Sequence, residues 1–178
     1  RAGVRFFEID HPATQAAKRE KLATLAGYPL DSVTFASCNF EREDPIERLI
    51  ASGFTATEPA FVIWEGVVPY LPEEAVRATL RVISGTLHRR SVLVFDHLLK
   101  KQADPSKKNE LHAQGFVARL GEPIRFGTND PLPMLYEEGY RHVRSVSFDE
   151  GCVTLTGTYA RERQFRFQRI VTASVTPP

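Results

Sequence analysis

Val4-Arg5-Phe6-Phe7-Glu8-Ile9-Asp10, followed at once by His11-Pro12, is the stretch on which the fold turns. Its apolar run ends in acid, the pattern of a buried strand reaching the edge of a core. Pro12 stands where a first helical turn tolerates a residue without an N–H. Ala13, Ala16, Ala17, Leu22, Leu25 and Ala26 then make a helical stripe, and Gly27 stops it. A strand running straight into a helix is half of a β–α–β unit, so the next strand is expected to lie parallel to it.

Working outward, the same alternation recurs. Val33 to Ser37 reads as a second strand. Asp44-Pro45 is a cap with a first-turn proline, and Ile46, Leu49, Ile50 and Gly53 complete a short helix. Ala60 to Trp64 is a third strand. Pro72 opens a helix with Val76, Leu80 and Ile83 on one face and Gly85 at its end, and Ser91 to Phe95 is a fourth strand closed by Asp96-His97. Near-continuous apolar strands of this kind belong to a parallel sheet covered on both faces. Beyond Lys100 the pattern changes. Lys100 to Lys108 reads as a polar loop, Asn109 to Leu120 as a weak helix, and Asp130-Pro131 as the cap of a helix ending at Gly139-Tyr140. His142–Phe148, Val153–Thr158 and Phe165–Val175 alternate in polarity, as strands of an antiparallel edge do. The expected fold is therefore α/β, a mostly parallel sheet with an antiparallel edge. No repeat or linker divides it, so residues 1–178 are expected to lie in a single domain.

Lys plus Arg number 23 against 22 Asp plus Glu, a formal charge of +1, which gives no electrostatic reason to expect nucleic acid or an anionic membrane as partner. No apolar run approaches the roughly 20 residues of a membrane-spanning helix. Cys38 and Cys152 form no CxxC pair, which favours a reducing cytoplasm and leaves a single disulfide between them open. The histidines show no HxxH or HxxxH spacing, and no metal is assigned.

Open α/β sheets bind ligands beyond the carboxyl ends of their strands. The residues there are Glu8 and Asp10, Asn39 and Phe40, Glu65 and Gly66, and Asp96 and His97. A carboxylate after a strand can accept hydrogen bonds from both hydroxyls of a ribose, although for any single one of these acids a helix cap or a solvated loop is the better explanation. Trp64 reads as core before it reads as a stacking platform. His97 is either a general base or a plain polar residue at a strand end. Arg89-Arg90 and Lys100-Lys101 read as solvated surface.

Three longer motifs add a family. Phe7 through Arg19 (FEIDHPATQAAKR), Pro59 through Pro72 (PAFVIWEGVVPYLP) and, more loosely, Leu120 through Gly127 with Gly139-Tyr140 downstream resemble the leucine carboxyl methyltransferase family. The closest likeness is to its bacterial branch, which includes the tetracenomycin-type polyketide O-methyltransferases. The resemblance implies a Rossmann-like class I methyltransferase fold and S-adenosyl-L-methionine as cofactor. It places Asp10, with Glu8 beside it, on the cofactor ribose. Asn39 and Phe40 fall where the family has an Asp-Leu or Asp-Phe pair beside the adenine. Asn39 departs from that pattern: its side-chain oxygen still accepts from an amino group but carries no charge. Glu65 falls near the methionine portion and Tyr70 near the reacting methyl. The implied reaction is O-methylation of a small-molecule carboxylate, with a hydroxyl as second choice, and residues 100–126 would cover the acceptor.

The resemblance also implies a gap. The family's first strand and its glycine-rich turn have no counterpart here. In the strand order 3-2-1-4-5-7-6 the absent strand lies between the strand of Val4–Asp10 and that of Ala60–Trp64. Its removal would leave those strands roughly 10 Å apart. The chain is thus expected to be the C-terminal part of the domain. Either another segment, from the same polypeptide or a second copy, fills the position, or the flanking strands close on each other. Residues 1–178 alone are expected to bind S-adenosylmethionine weakly or not at all. Two other readings remain open: a non-catalytic methyltransferase-like interaction protein, and an NAD-dependent oxidoreductase, against which Trp64-Glu65-Gly66 argues.

Overall fold

The computed structural model describes residues 3–27, 29–104, 106, 123–158 and 167–177. Two compact units make up the chain, Arg1–Glu58 and Pro59–Pro178.

In the first unit, strand β1 (Phe6–Asp10) pairs in parallel with β2 (Val33–Ser37), Asp10 standing opposite Ser37. Between them runs helix α1 (Pro12–Ala23), with proline in its first turn and the His11 side chain accepting from the Ala13 N–H. The two sheet faces are covered differently. Lys18 of α1 reaches Glu8, and the Arg19 guanidinium lies 5.1 Å from the centre of the Phe35 ring, so α1 lies over the face shared by Glu8 and Phe35. Phe7, which alternation puts on the opposite face, meets Phe54 edge-on at 5.4 Å. Phe54 follows helix α2 (Pro45–Ala51), whose cap Asp44 accepts from the Ile46 and Glu47 N–H groups. One buried polar side chain pins α1 to β2. Gln15 donates to the Ala36 carbonyl (2.8 Å) and accepts from the Ser37 hydroxyl (2.8 Å).

The second unit holds a four-stranded sheet in the order β3 (Phe61–Trp64), β4 (Val92–Leu98), β6 (Gln168–Ser174), β5 (His142–Ser147). β3 and β4 are parallel, while β6 runs antiparallel to both β4 and β5, so the expected antiparallel edge is present. Helix α3 (Glu73–Thr86) buries Val76, Leu80 and Ile83, the stripe that the sequence marks. Each such side chain contributes about 1.5–3 kcal/mol on burial. Tyr140 is buried with its hydroxyl on the Leu80 carbonyl, 3.1 Å away. Beside it Arg77 and Arg81 of α3 converge on Glu138, whose side chain is only 3% exposed. Helix α4 (Leu132–Glu137) precedes β5.

Two expectations need correction. The fourth strand does not end before Asp96 and His97 but includes both, because β6 continues to pair with it as far as Leu98 opposite Gln168. Val153 to Thr158 is no strand: residues Phe148–Thr156 form helix α5. The alternating polarity predicts extension, but Ser147 and Glu150 close a reciprocal capping box at the start, and Gly157, at φ 72°, takes the left-handed turn that ends it. Among the described residues β1 pairs with β2 alone and β3 with β4 alone, so each keeps an edge without a strand. β3 is also uncovered on one face, where Phe61 and Ile63 are 67% and 66% exposed. The weak helix expected at Asn109–Leu120 lies outside the described residues, as does most of the proposed cover.

Candidate functional site

Strand ends locate the candidate residues, and each unit contributes its own set. In the first, the parallel pairing of Asp10 with Ser37 carries on into a bond from the Cys38 N–H to the Asp10 carbonyl (2.9 Å). Asn39 and Phe40 thus leave β2 beside the end of β1, as the sequence reading requires. The Asp10 carboxylate accepts from the His11 N–H through Oδ1 (2.7 Å). Glu8 projects from the same strand face as Asp10. Its Oε2 takes the Lys18 ammonium at 2.7 Å, while Oε1 is buried without a hydrogen-bond partner among the described residues.

Asn39 is held within its own turn. Its N–H donates to Glu43 Oε2 (2.7 Å), its Oδ1 accepts from the Glu41 N–H (3.1 Å), and its carbonyl accepts from Arg42 and Glu43. The Asx turn occupies one lone pair of Oδ1, and the amide keeps further hydrogen-bonding capacity in its second lone pair and its NH2 group. Arg48 supports the turn from α2 by donating to the Ser37 carbonyl. Cys38 is fully buried, and burial, followed by the nearby Glu43 carboxylate, pushes its thiol up to about 11. At neutral pH it is an inert core thiol, and both cysteines are free.

In the second unit Glu65 is exposed directly after β3, and a 3-10 turn, Val68–Tyr70, follows. Gly66 has φ 70°, a left-handed conformation that side chains adopt at a cost. Two distant segments brace this stretch. Asp96 accepts from the Gly66 N–H at 2.7 Å, and the Pro69 carbonyl accepts from the N–H groups of Arg125 (2.8 Å) and Phe126 (3.1 Å). Residues after Phe126 then press onto β4's end, where the Thr128 N–H meets the Leu98 carbonyl and Gly127 lies so close that a Cβ would stand 2.8 Å from the Leu99 carbonyl oxygen. Tyr70 is half-buried on the braced turn. The Asp96 carboxylate also accepts from the Gln168 amide, 2.9 Å away, and the roles of Asp96, Gln168 and Gly127 are not legible in the sequence, since each acts across a long sequence separation.

Trp64 is core, buried against Phe95 at 6.2 Å between ring centres. His97 is fully buried. Its Nδ1 lies 3.1 Å from the Leu98 carbonyl, an acceptor, so that nitrogen carries the proton, and Nε2 has no partner among the described residues. Burial lowers its pKa, a fall opposed by the Leu98 bond, furthered by Arg169 and opposed by Asp96. It is therefore a neutral, enclosed imidazole. No group of three or more His, Cys, Asp or Glu side chains suited to a metal occurs among the described residues, and no described helix is long and apolar enough to cross a membrane.

With this geometry in place, comparison with known proteins is informative. The leucine carboxyl methyltransferase family model matches residues 1–84, which contain Glu8, Asp10, Asn39, Phe40, Glu65 and Tyr70 but not Asp96 and His97. The likeness to the leucine carboxyl methyltransferases thus covers just under half of the chain. A protein of Mycobacterium avium (strain 104) named "Putative S-adenosyl-L-methionine-dependent methyltransferase" is 31% identical over 143 residues, 80% of this chain and 44% of that protein. The chain thus spans less than half the length of this relative. Among solved structures, a DUF574 family protein from Streptomyces avermitilis superposes with a TM-score of 0.67 at 17% identity, covering 97% of this chain and 65% of its own. An S-adenosylmethionine-dependent methyltransferase from Mesorhizobium loti gives 0.60 at 14% identity, covering 96% and 80%. The fold is that of the class I methyltransferases, as the motifs imply.

Proposed function

We propose that the protein is an S-adenosylmethionine-dependent O-methyltransferase acting on a small-molecule carboxylate or hydroxyl, and that residues 1–178 are the C-terminal part of its single catalytic domain. The observation that carries this reading is the recurrence of ligand-ready groups at successive strand ends, Glu8 and Asp10 after β1, Asn39 and Phe40 after β2, and Glu65 after β3. The buried, unpartnered Glu8 Oε1 and the second Asp10 oxygen suit the two hydroxyls of a ribose. Asn39 and Phe40 suit an adenine, and the exposed Glu65 carboxylate suits the ammonium of an amino-acid end.

When bound, the cofactor supplies an electrophilic methyl on a sulfonium. The chain's task is then to orient an acceptor oxygen and exclude water, which needs no covalent nucleophile and, for a carboxylate, no general base. Tyr70, on the braced turn after Glu65, stands in the reading as the residue nearest the transferred methyl. Residues 100–126 serve as the acceptor's cover. We further propose that a strand from outside these residues, in the same polypeptide or a second copy, completes the cradle. The unpaired edges of β1 and β3 and the uncovered face of β3 support this.

Calorimetric titration of S-adenosylmethionine tests both proposals. The complete polypeptide is expected to bind, and residues 1–178 alone to bind weakly or not at all. Asp10→Ala removes charge-assisted bonds worth about 1.5–3 kcal/mol and should weaken binding roughly 10- to 100-fold. A complete protein that does not bind, or an Asp10→Ala variant that binds normally, overturns the reading.

A further inference from the structure

Asp96 is 6% exposed, and both of its oxygens are used as acceptors. Oδ1 takes the Gly66 N–H at 2.7 Å, and Oδ2 takes the Gln168 amide at 2.9 Å. No Lys, Arg or His side chain forms an ion pair with it among the described residues. A carboxylate buried at this depth without a counter-ion is costly to keep, and a Leu or Asn would fill the site more cheaply. What it secures is the turn after β3. Gly66 needs its left-handed conformation for the chain to leave β3 toward Val68, and nothing in β3's own ladder holds that peptide. The N–H that Asp96 grips belongs to the residue directly after Glu65, so this bond fixes the peptide by which Glu65 enters the turn.

We propose that Asp96 is a positioning residue for Glu65, with Gln168 of β6 orienting Asp96 in turn: a relay that runs from β6 through β4 to the turn that meets the amino-acid end of the cofactor. It rests on the functional reading above for its ligand, but the clamp itself can be tested without one.

Two measurements separate the layers. The first is hydrogen exchange of the Gly66 amide by NMR in the complete protein. Asp96→Ala should speed it about tenfold or more, the loss expected when a charge-assisted bond is removed. Asp96→Asn keeps an acceptor for Gly66 and lets the Gln168 amide turn to offer its oxygen, so it should stay near wild type. Gln168→Leu should fall between them. The second compares S-adenosylhomocysteine with methylthioadenosine, which carries the same adenosine but lacks the amino-acid end. Asp96→Ala should weaken the first ligand about tenfold and leave the second within about twofold. Unchanged Gly66 exchange in Asp96→Ala overturns the clamp, and equal weakening of both ligands overturns its selective role in favour of general destabilisation. If the wild-type protein binds neither ligand, the functional reading fails while the exchange data still decide the clamp.

Discussion

The turn after β2 and the turn after β3 do similar work by opposite means. At the first, Asn39 is held by Glu41, Arg42 and Glu43, all within four residues, and the helix that follows is capped by its own Asp44. At the second, Gly66 hangs from Asp96, 30 residues on, and Pro69 from Arg125 and Phe126, further still. A locally sealed turn keeps its shape when the rest of the domain loosens. A turn held from a distance keeps its shape only while the sheet and the strap are both in place, so it reports on the integrity of the whole unit.

The sharpest way to break the contrast is at the strap. Gly127→Ala would drive a methyl to within 2.8 Å of a backbone oxygen, which only backbone movement can relieve. A loss of about 2–3 kcal/mol is expected in denaturant unfolding. Gly66→Ala, with open space around its Cβ but φ at 70°, should cost about 1–2 kcal/mol from backbone strain alone. If Gly127→Ala proved as stable as wild type, the strap would not brace the turn.

His97 gives the same region a pH signature. Its folded pKa lies below the unfolded value of about 6.5, so the unfolded chain binds the proton more tightly. The stability due to the neutral ring is full above that pH and is lost as pH falls through the window below it, by at most about 1.4 kcal/mol per pH unit. Urea unfolding between pH 7.5 and 5.5 should show this slope, and His97→Gln should flatten it. The local turn should respond least. Asp44→Ala should cost about 1 kcal/mol through the lost cap, and Glu43→Gln, which keeps an acceptor for the exposed Asn39 N–H, less than about 0.5 kcal/mol. Thermal melts of the two variants would rank them, and a Glu43→Gln loss approaching that of Gly127→Ala would erase the distinction between the turns.

The same division explains what could be read from sequence. β1, α1, β2 and α2 were legible because strand, proline, cap and terminator follow one another in a few residues. The places of Asp10, Asn39 and Glu65 at the ends of β1, β2 and β3 are legible for the same reason. The extension of β4 through His97 was not, since it depends on a partner strand some 70 residues later in the pairing of Leu98 with Gln168. Helix α5 is the instructive miss. Its Ser147-x-x-Glu150 box stands in the sequence, but the alternating polarity of Val153–Thr158 predicts a strand, and capping together with packing against β6 prevails.

Phe61 and Ile63 carry a practical consequence. Two large apolar side chains, about two-thirds bare and flanking an unsatisfied strand edge, form a template that any second molecule can read. For residues 1–178 in concentrated solution the consequence is colloidal rather than conformational: β3 is a place where association between chains is expected to begin.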